Sequence, residues 1–188
     1  MRELEEKILK EGVILENDVL VVGRFLNQNV DVALLKHMAQ EVKKHFNTNI
    51  DRILTVEASG IPFATAIALE YGCDMLFAKK TASSNLKGNI IKTKIKSYTR
   101  DTETNLILNE DYVNRGERVL IVDDFLALGN ASLALLDLAR QAGLNVVGFS
   151  ICVEKEFQNG GNKIRDLGYD CFSLASIKYM DNEKIIFN

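Results

Sequence analysis

The run Val119-Leu120-Ile121-Val122 constrains this chain more than any other stretch. Four apolar residues in a row show no polar side to water, so a strand made of them must be covered on both faces. Buried parallel strands read this way. A second such run lies at Val146 to Val153. Between the two, Leu133, Leu136 and Ala139, with Leu135 and Leu138 beside them, recur at helical spacing as far as Ala142-Gly143. Strand, helix and strand in that order make a crossover, which lays a helix over a sheet face that needs cover.

The alternation continues through the chain. Residues 3–11 set Leu4, Ile8 and Leu9 on one side of a short helix. Val19 to Val22 reads as extended, and Phe25 to Asn29 as a turn or loop. Asp31 is placed to cap a helix that carries Leu35, Met38, Val42 and Phe46 and ends at Asn47-Thr48-Asn49. Ile53 to Val56 predicts a strand, Glu57 to Gly60 a loop, and Pro62 the first turn of an Ala-rich helix that stops at Tyr71-Gly72. Strands follow at Met75 to Ala78, Ile95 to Thr99 and Asn105 to Leu108, the last two around a turn at Arg100-Asp101-Thr102. Lys79 to Thr93 is polar and weakly patterned, as mobile functional loops often are. A helix near Asn162 to Leu167 and a strand from Cys171 to Leu174 close the series. The expected fold class is α/β, a mainly parallel sheet flanked by helices. At 188 residues the chain has room for a single domain, residues 1–188.

Composition narrows the function. With 47% hydrophobic and 26% charged residues the chain is neither disordered nor a disulfide-built miniprotein. A net charge of -3 and a pI of about 5.5 argue against a protein that grips nucleic-acid backbones. Cys73, Cys152 and Cys171 are odd in number and widely spaced, which suits no disulfide framework or metal knuckle. Cys152 and Cys171 sit in apolar runs and read as core residues. His37 and His45 have no ligand cluster around them and read as surface residues rather than a metal site. The N-terminal residues lack the apolar core of a secretory signal, and no run approaches the ~20 residues of a membrane span. A cytoplasmic setting and no membrane partner are therefore expected.

In open parallel sheets, ligands bind beyond the carboxyl ends of the strands. After Val122 come Asp123-Asp124-Phe125-Leu126-Ala127-Leu128-Gly129-Asn130-Ala131-Ser132. Two carboxylates at a strand end can accept hydrogen bonds from a pair of sugar hydroxyls. Backbone N–H groups near Gly129, with the helix dipole behind them, can hold a phosphate. That combination describes a ribose 5-phosphate. The residues alone leave a second reading equally open, because Asp at a strand end and Gly in a turn are common in α/β proteins. A Walker loop and a dinucleotide fingerprint are both excluded, since Gly-Lys-Ser/Thr and G-x-G-x-x-G are missing.

The string 119–129, Val-Leu-Ile-Val-Asp-Asp-Phe-Leu-Ala-x-Gly, resembles the phosphoribosyl diphosphate-binding motif of type I phosphoribosyltransferases. The resemblance implies a parallel-sheet core with a small hood, contributed by about 1–30 and 154–188, and a flexible loop over the site. It implies transfer of ribose 5-phosphate from 5-phospho-α-D-ribose 1-diphosphate to a nucleobase, with release of diphosphate and with Mg²⁺ bound to the sugar substrate. On this template Asp123 and Asp124 are catalytic, and Ala127, Leu128, Gly129, Asn130 and Ala131 bind the phosphoribosyl group. Glu57, Ala58, Ser59 and Gly60 form the pyrophosphate loop, in which the family often has a strained peptide. The polar stretch 79–104 falls where the flexible loop lies. Its Lys79, Lys80 and Lys87 can meet diphosphate, although each read singly is an ordinary solvated lysine.

Leu20 to Asp31 and Glu154-Lys155-Glu156-Phe157-Gln158 further resemble the bacterial xanthine branch of this family, over essentially the full chain. That branch implies purine contacts from Leu20, Asn27 and Lys155 and a product of xanthosine 5'-monophosphate. A lysine ammonium supplies donors and charge to the two ring carbonyls of xanthine, and an amide can both donate and accept. Homodimers are common in the family. Two departures stand out. Leu128 and Ala131 replace hydroxyl residues usual in the phosphate loop, with Ser132 next in line. Ala127 stands where hypoxanthine–guanine enzymes place an Asp, which favours the adenine or xanthine type. An adenine or guanine enzyme, and a phosphoribosyl diphosphate-sensing transcription regulator with this fold, are the rival readings.

Overall fold

The structure is a computed structural model that describes residues 1–16, 18–80, 87–96, 103–181 and 183–188. The expected turn at 100–102, the end of the strand read to Thr99, and Thr81, Ser83, Ser84 and Asn85 of the polar stretch lie outside the described residues.

The apolar run that opens the sequence reading is buried throughout, and its side chains alternate between two cores. Leu120 and Val122 join one, with Leu4, Met38 and Phe63. Val119 and Ile121 join the other, with Leu106, Leu135 and Leu138. A strand that fills a core on each side needs helices on each side, and the chain supplies them. In order it forms α1 (Arg2–Glu11), β1 (Val13–Leu15), β2 (Val19–Val21), α2 (Val32–His45), β3 (Arg52–Val56), α3 (Ile61–Tyr71) and β4 (Asp74–Ala78). Then come β5 (Ile90–Lys96), β6 (Glu103–Asn109), β7 (Arg118–Leu126), α4 (Asn130–Gln141), β8 (Asn145–Lys155), α5 (Gly160–Asp166), β9 (Cys171–Met180) and β10 (Ile185–Phe187). Helices α1 to α3 contribute to the first core, and α4 and α5 to the second.

The central sheet has the order β10-β9-β8-β7-β3-β4. All its neighbours are parallel except β10, which runs antiparallel to β9. The chain lays β4 on one side of β3, then returns to lay β7, β8 and β9 successively on the other. The winding therefore reverses between β3 and β7, and such reversal points leave a crevice at the strand ends. The ladders show it opening. β3 pairs with β4 as far as Val56↔Ala78, but with β7 only as far as Leu54↔Ile121. Beyond that point the two strands part.

Several boundaries differ from the sequence expectation. The acidic pair belongs to the strand: β7 runs on through Asp123 and Asp124 to Leu126 because β8 keeps pairing with it as far as Leu126↔Glu154. Gly23–Asn27 forms a turn of π-helix rather than an open loop, and in it Phe25 and Leu26 are both buried. Residues 90–93, expected in a polar loop, are strand, because 90–96 pair one for one with 103–109. β9 extends to Met180, and β1 and β10 are three-residue strands too short to show a period. Asp31 caps α2 as expected, accepting the Leu34 N–H at 3.1 Å. All three cysteines are free thiols, and Cys152 and Cys171 are buried.

Candidate active site

Where β3 and β7 part, four segments meet. The first is the loop after β3. Glu57 stays close to the sheet, its N–H donating to the Ala78 carbonyl at 3.0 Å and its carboxylate accepting the Lys80 N–H at 2.7 Å. The Glu57–Ala58 peptide is cis. Gly60 starts α3 with Pro62 in its first turn. A Cβ added at Gly60 would lie 2.5 Å from Thr55 Oγ1 and 3.2 Å from Asp123 Oδ1, so only glycine lets this loop approach the acidic strand end.

The second segment is that strand end. Asp123 is 4% exposed and Asp124 6%. Asp123 Oδ1 accepts the N–H of Asp124 at 3.0 Å. Asp124 is held from both sides: Ser59 Oγ donates to Oδ1 at 3.0 Å and Asn27 Nδ2 to Oδ2 at 3.1 Å. Burial pushes the Asp123 carboxyl well above the usual aspartate range, and the neighbouring Asp124 charge pushes it further, with Lys80 opposing. Asp123 therefore favours its proton.

The third segment is the turn from β7 into α4. Gly129 caps the helix at φ +84°, a conformation that favours glycine, and no side chain caps α4. The helix dipole favours an anion at this end. Lys80, Ile95, Thr104, Phe125 and residues 126–132 line a cleft of about 280 Å³ here. Ser132 faces it 1% exposed, and its hydroxyl has no hydrogen-bond partner among the described residues. A buried hydroxyl left unpaired is costly, and a phosphate oxygen in the cleft would satisfy it.

The fourth segment joins β2 and the end of β8. Lys155 Nζ donates to the Asp18 carbonyl at 2.5 Å and lies 5.7 Å from the centre of the Phe125 ring. Burial lowers its pKa below the ordinary lysine value, with the Asp18 charge opposing. Leu20 is buried in the β1–β2 ribbon, where a Cβ at Gly12 would lie 3.3 Å from its Cδ1. Residues 18–27, 57–60, 123–132 and 155 are thus drawn to one crevice.

The residues expected from sequence therefore converge, with differences of degree. Asn27 touches Asp124, and Lys155 touches the Phe125 ring next to it, whereas Leu20 contributes as part of a core wall. Phe125 was passed over in the sequence. Its signal was its place directly after the acidic pair, at the end of a buried strand. Ser132 was noticed only as the next hydroxyl, and the structure makes it part of the cleft lining. Among the described residues no group of three or more His, Cys, Asp or Glu is arranged to hold a metal. His37 sits on the surface beside Glu3, and His45 beside Asp170.

The model of the phosphoribosyl transferase domain matches residues 22–185. A xanthine phosphoribosyltransferase of Bifidobacterium adolescentis is 44% identical over 185 residues, 97% of this chain and 96% of that one. Xanthine phosphoribosyltransferase 2 of Clostridium botulinum is 39% identical over 189 residues and the whole of both chains. Among solved structures, adenine phosphoribosyltransferases share the fold. That of Thermoanaerobacter pseudethanolicus superimposes with a TM-score of 0.75 over 92% of this chain and 99% of its own, at 23% identity. That of Rhodothermus marinus gives 0.77 over 94% and 100%, at 16% identity. With a type I phosphoribosyltransferase fold and full-length relatives of this kind, the chain belongs to the phosphoribosyltransferase family.

Proposed function

We propose that this protein transfers ribose 5-phosphate from 5-phospho-α-D-ribose 1-diphosphate to xanthine, giving xanthosine 5'-monophosphate and diphosphate in purine salvage. The observation that carries the reading is the buried Asp123-Asp124 pair at the β3/β7 reversal, set between a loop on one side and a helix start on the other. Relatives of 39–44% identity over nearly the whole chain bear the name xanthine phosphoribosyltransferase, which sets the base.

Each residue then has a task. Asp123 and Asp124 hold the ribose hydroxyls, and the carboxylate charge that the pair retains lies close to the sugar carbon as its bond to diphosphate loosens and the ring gains positive charge. Residues 127–131, with Ser132, receive the 5-phosphate at the start of α4. Glu57 to Gly60 receive the diphosphate through their backbone. Asn27 and Lys155 present donors and charge to the ring oxygens of xanthine, and Leu20 and Phe125 present apolar surface. Asp123 and Asp124 offer carboxylate oxygens at the strand end, which would hold, directly or through water, a Mg²⁺ that arrives on the substrate. When bound, the ion offsets the charge of the departing diphosphate.

The hood over the site is assigned to residues 1–30 and 154–188. One contact between those stretches supports it, Lys155 donating to the Asp18 carbonyl, while β9 and β10 of the second stretch are strands of the central sheet. A cytoplasmic setting and a homodimer belong to the same reading. Sedimentation would test the homodimer.

The test is product formation from phosphoribosyl diphosphate with xanthine, guanine, hypoxanthine and adenine in parallel. Preference for xanthine is expected. Preference for adenine or guanine would move the enzyme to another branch. Consumption of none, with salt-dependent retention of DNA on filters, would favour a regulator.

A further inference from the structure

We infer that Gly160 is a positioning residue for the 127–131 loop, seated there by the ion pair that buried Glu154 makes with Arg165. This rests on the phosphoribosyl transfer proposed for the site.

Gly160 opens α5 and is buried. Its N–H donates to the Ala127 carbonyl at 3.0 Å. A Cβ built on it would lie 2.3 Å from Ala127 O, 2.7 Å from Gly129 N and 2.9 Å from Leu128 C. All three are backbone atoms, which cannot swing aside as a side-chain tip can, so any side chain at 160 must displace the loop. The apposition is mutual, since a Cβ at Gly129 would lie 3.3 Å from Gly160 Cα. One turn along α5, Lys163 Nζ donates to the Leu128 carbonyl at 3.0 Å. Two successive loop carbonyls, 127 and 128, are thus drawn toward α5. In a trans peptide the N–H points opposite to the C=O. The N–H groups of Leu128 and Gly129 therefore point away from α5, and both residues line the cleft. Donors aimed by fixing their own carbonyls need no reorganisation when the phosphate arrives.

The support has its own anchor. Glu154 is 1% exposed, and Arg165 donates to both its oxygens, at 2.9 and 2.7 Å, and to the Cys171 carbonyl at 3.1 Å. Ser173 Oγ also donates to Glu154, at 2.5 Å. α5 presses against this carboxylate so closely that a Cβ at Gly161 would sit 1.8 Å from Glu154 Oε1. Glu154 immediately precedes Lys155, so one strand end seats both the purine-side lysine and the support of the phosphate loop.

Gly160→Ala and Lys163→Met test this. Steady-state rates are measured with each substrate varied in turn, alongside titration calorimetry with ribose 5-phosphate and thermal melts. Displacing a binding loop by about an ångström can cost up to about a hundredfold, so Gly160→Ala should raise the KM for phosphoribosyl diphosphate at least about tenfold. Its KM for xanthine should stay within about twofold, the split expected when only one substrate's binding is lost. Lys163→Met, at an exposed side chain, should raise the same KM about threefold with an unchanged melting temperature, as for one lost hydrogen bond. Ribose 5-phosphate affinity should fall in parallel. Unchanged phosphoribosyl diphosphate KM in both variants, or a rise shared equally by both substrates and tracking a lower melting temperature, would overturn the inference. Should the wild type make no xanthosine 5'-monophosphate, the proposed function fails, and ribose 5-phosphate binding still decides the role of Gly160.

Discussion

Asn27 reaches across the crevice to Asp124: its amide Nδ2 lies 3.1 Å from Oδ2, while Ser59 Oγ holds Oδ1 at 3.0 Å. The purine-side amide and the pyrophosphate-loop hydroxyl therefore grip the two oxygens of one carboxylate. Such bonds fix the direction of the lone pairs left on Asp124. Asn27→Ala and Ser59→Ala should each lower kcat/KM. In the double variant the losses should depart from additivity by roughly 1–2 kcal/mol, as groups sharing one partner do. Strict additivity would mean that the two do not act through Asp124.

Lys155 carries a pH signature. In the proposed role its ammonium would be the form that meets xanthine oxygens, and burial lowers its pKa from the ordinary value. The charge is present below that lowered pKa and is lost as pH rises through it. The alkaline limb of kcat/KM for xanthine should therefore shift upward in Lys155→Arg, whose guanidinium stays charged. Lys155→Met should raise the xanthine KM roughly 10- to 100-fold, the worth of a charged hydrogen bond. An alkaline limb that does not move in an active Lys155→Arg enzyme would contradict this role.

Asp123 trades stability for function. Its carboxyl is raised mainly by burial and then by Asp124. Between its unfolded pKa, about 3.9, and the raised folded value, the native state holds a proton that the unfolded chain releases, so stability falls as pH rises. Asp123→Asn removes that penalty. Its melting temperature should exceed the wild type's at neutral pH, with the gain shrinking as pH falls toward the unfolded value, while activity drops. Equal melting at all pH values would refute the assignment.

At the opposite ends of the strands, Arg52 donates to Glu117 at 2.8 and 3.3 Å and holds that carboxyl below the usual range. A depressed carboxylate adds stability above its unfolded pKa, about 4.3, and loses it as pH falls through the folded value. Glu117→Gln should cost about 1 kcal/mol at neutral pH, or roughly 2–4 °C, and less in acid. Kinetic constants should not change, because the pair lies far along the strands from the crevice. A change in KM would show that the two ends are coupled.

Much of this was legible in the chain. The apolar run Val119–Val122 pointed to a strand covered on both faces and so to the parallel sheet, and Asp31 and Tyr71-Gly72 marked helix ends correctly. The acidic pair was read as lying beyond its strand because local composition turns polar at Asp123, whereas pairing with β8 carries the strand three residues further. The π-turn at Gly23–Asn27 was illegible, since what organises it is the burial of Phe25 and Leu26 against distant elements. The start of strand β5 was hidden for a similar reason: Lys92 and Thr93 look like loop until β6 pairs with them. In the site, residue types at strand ends could be nominated. The contact of Asn27 with Asp124, and of Gly160 with the phosphate loop, depends on long-range packing that no local pattern encodes.

Asp124 is the carboxylate proposed to hold ribose while the base is joined. Formation of xanthosine 5'-monophosphate from xanthine and phosphoribosyl diphosphate, by wild type and Asp124→Ala side by side, tests it most directly. The prediction is a fall in kcat of roughly a hundredfold or more, as for loss of one preorganised electrostatic group, with a melting temperature no lower than the wild type's. Near-normal turnover in a folded Asp124→Ala enzyme would contradict it.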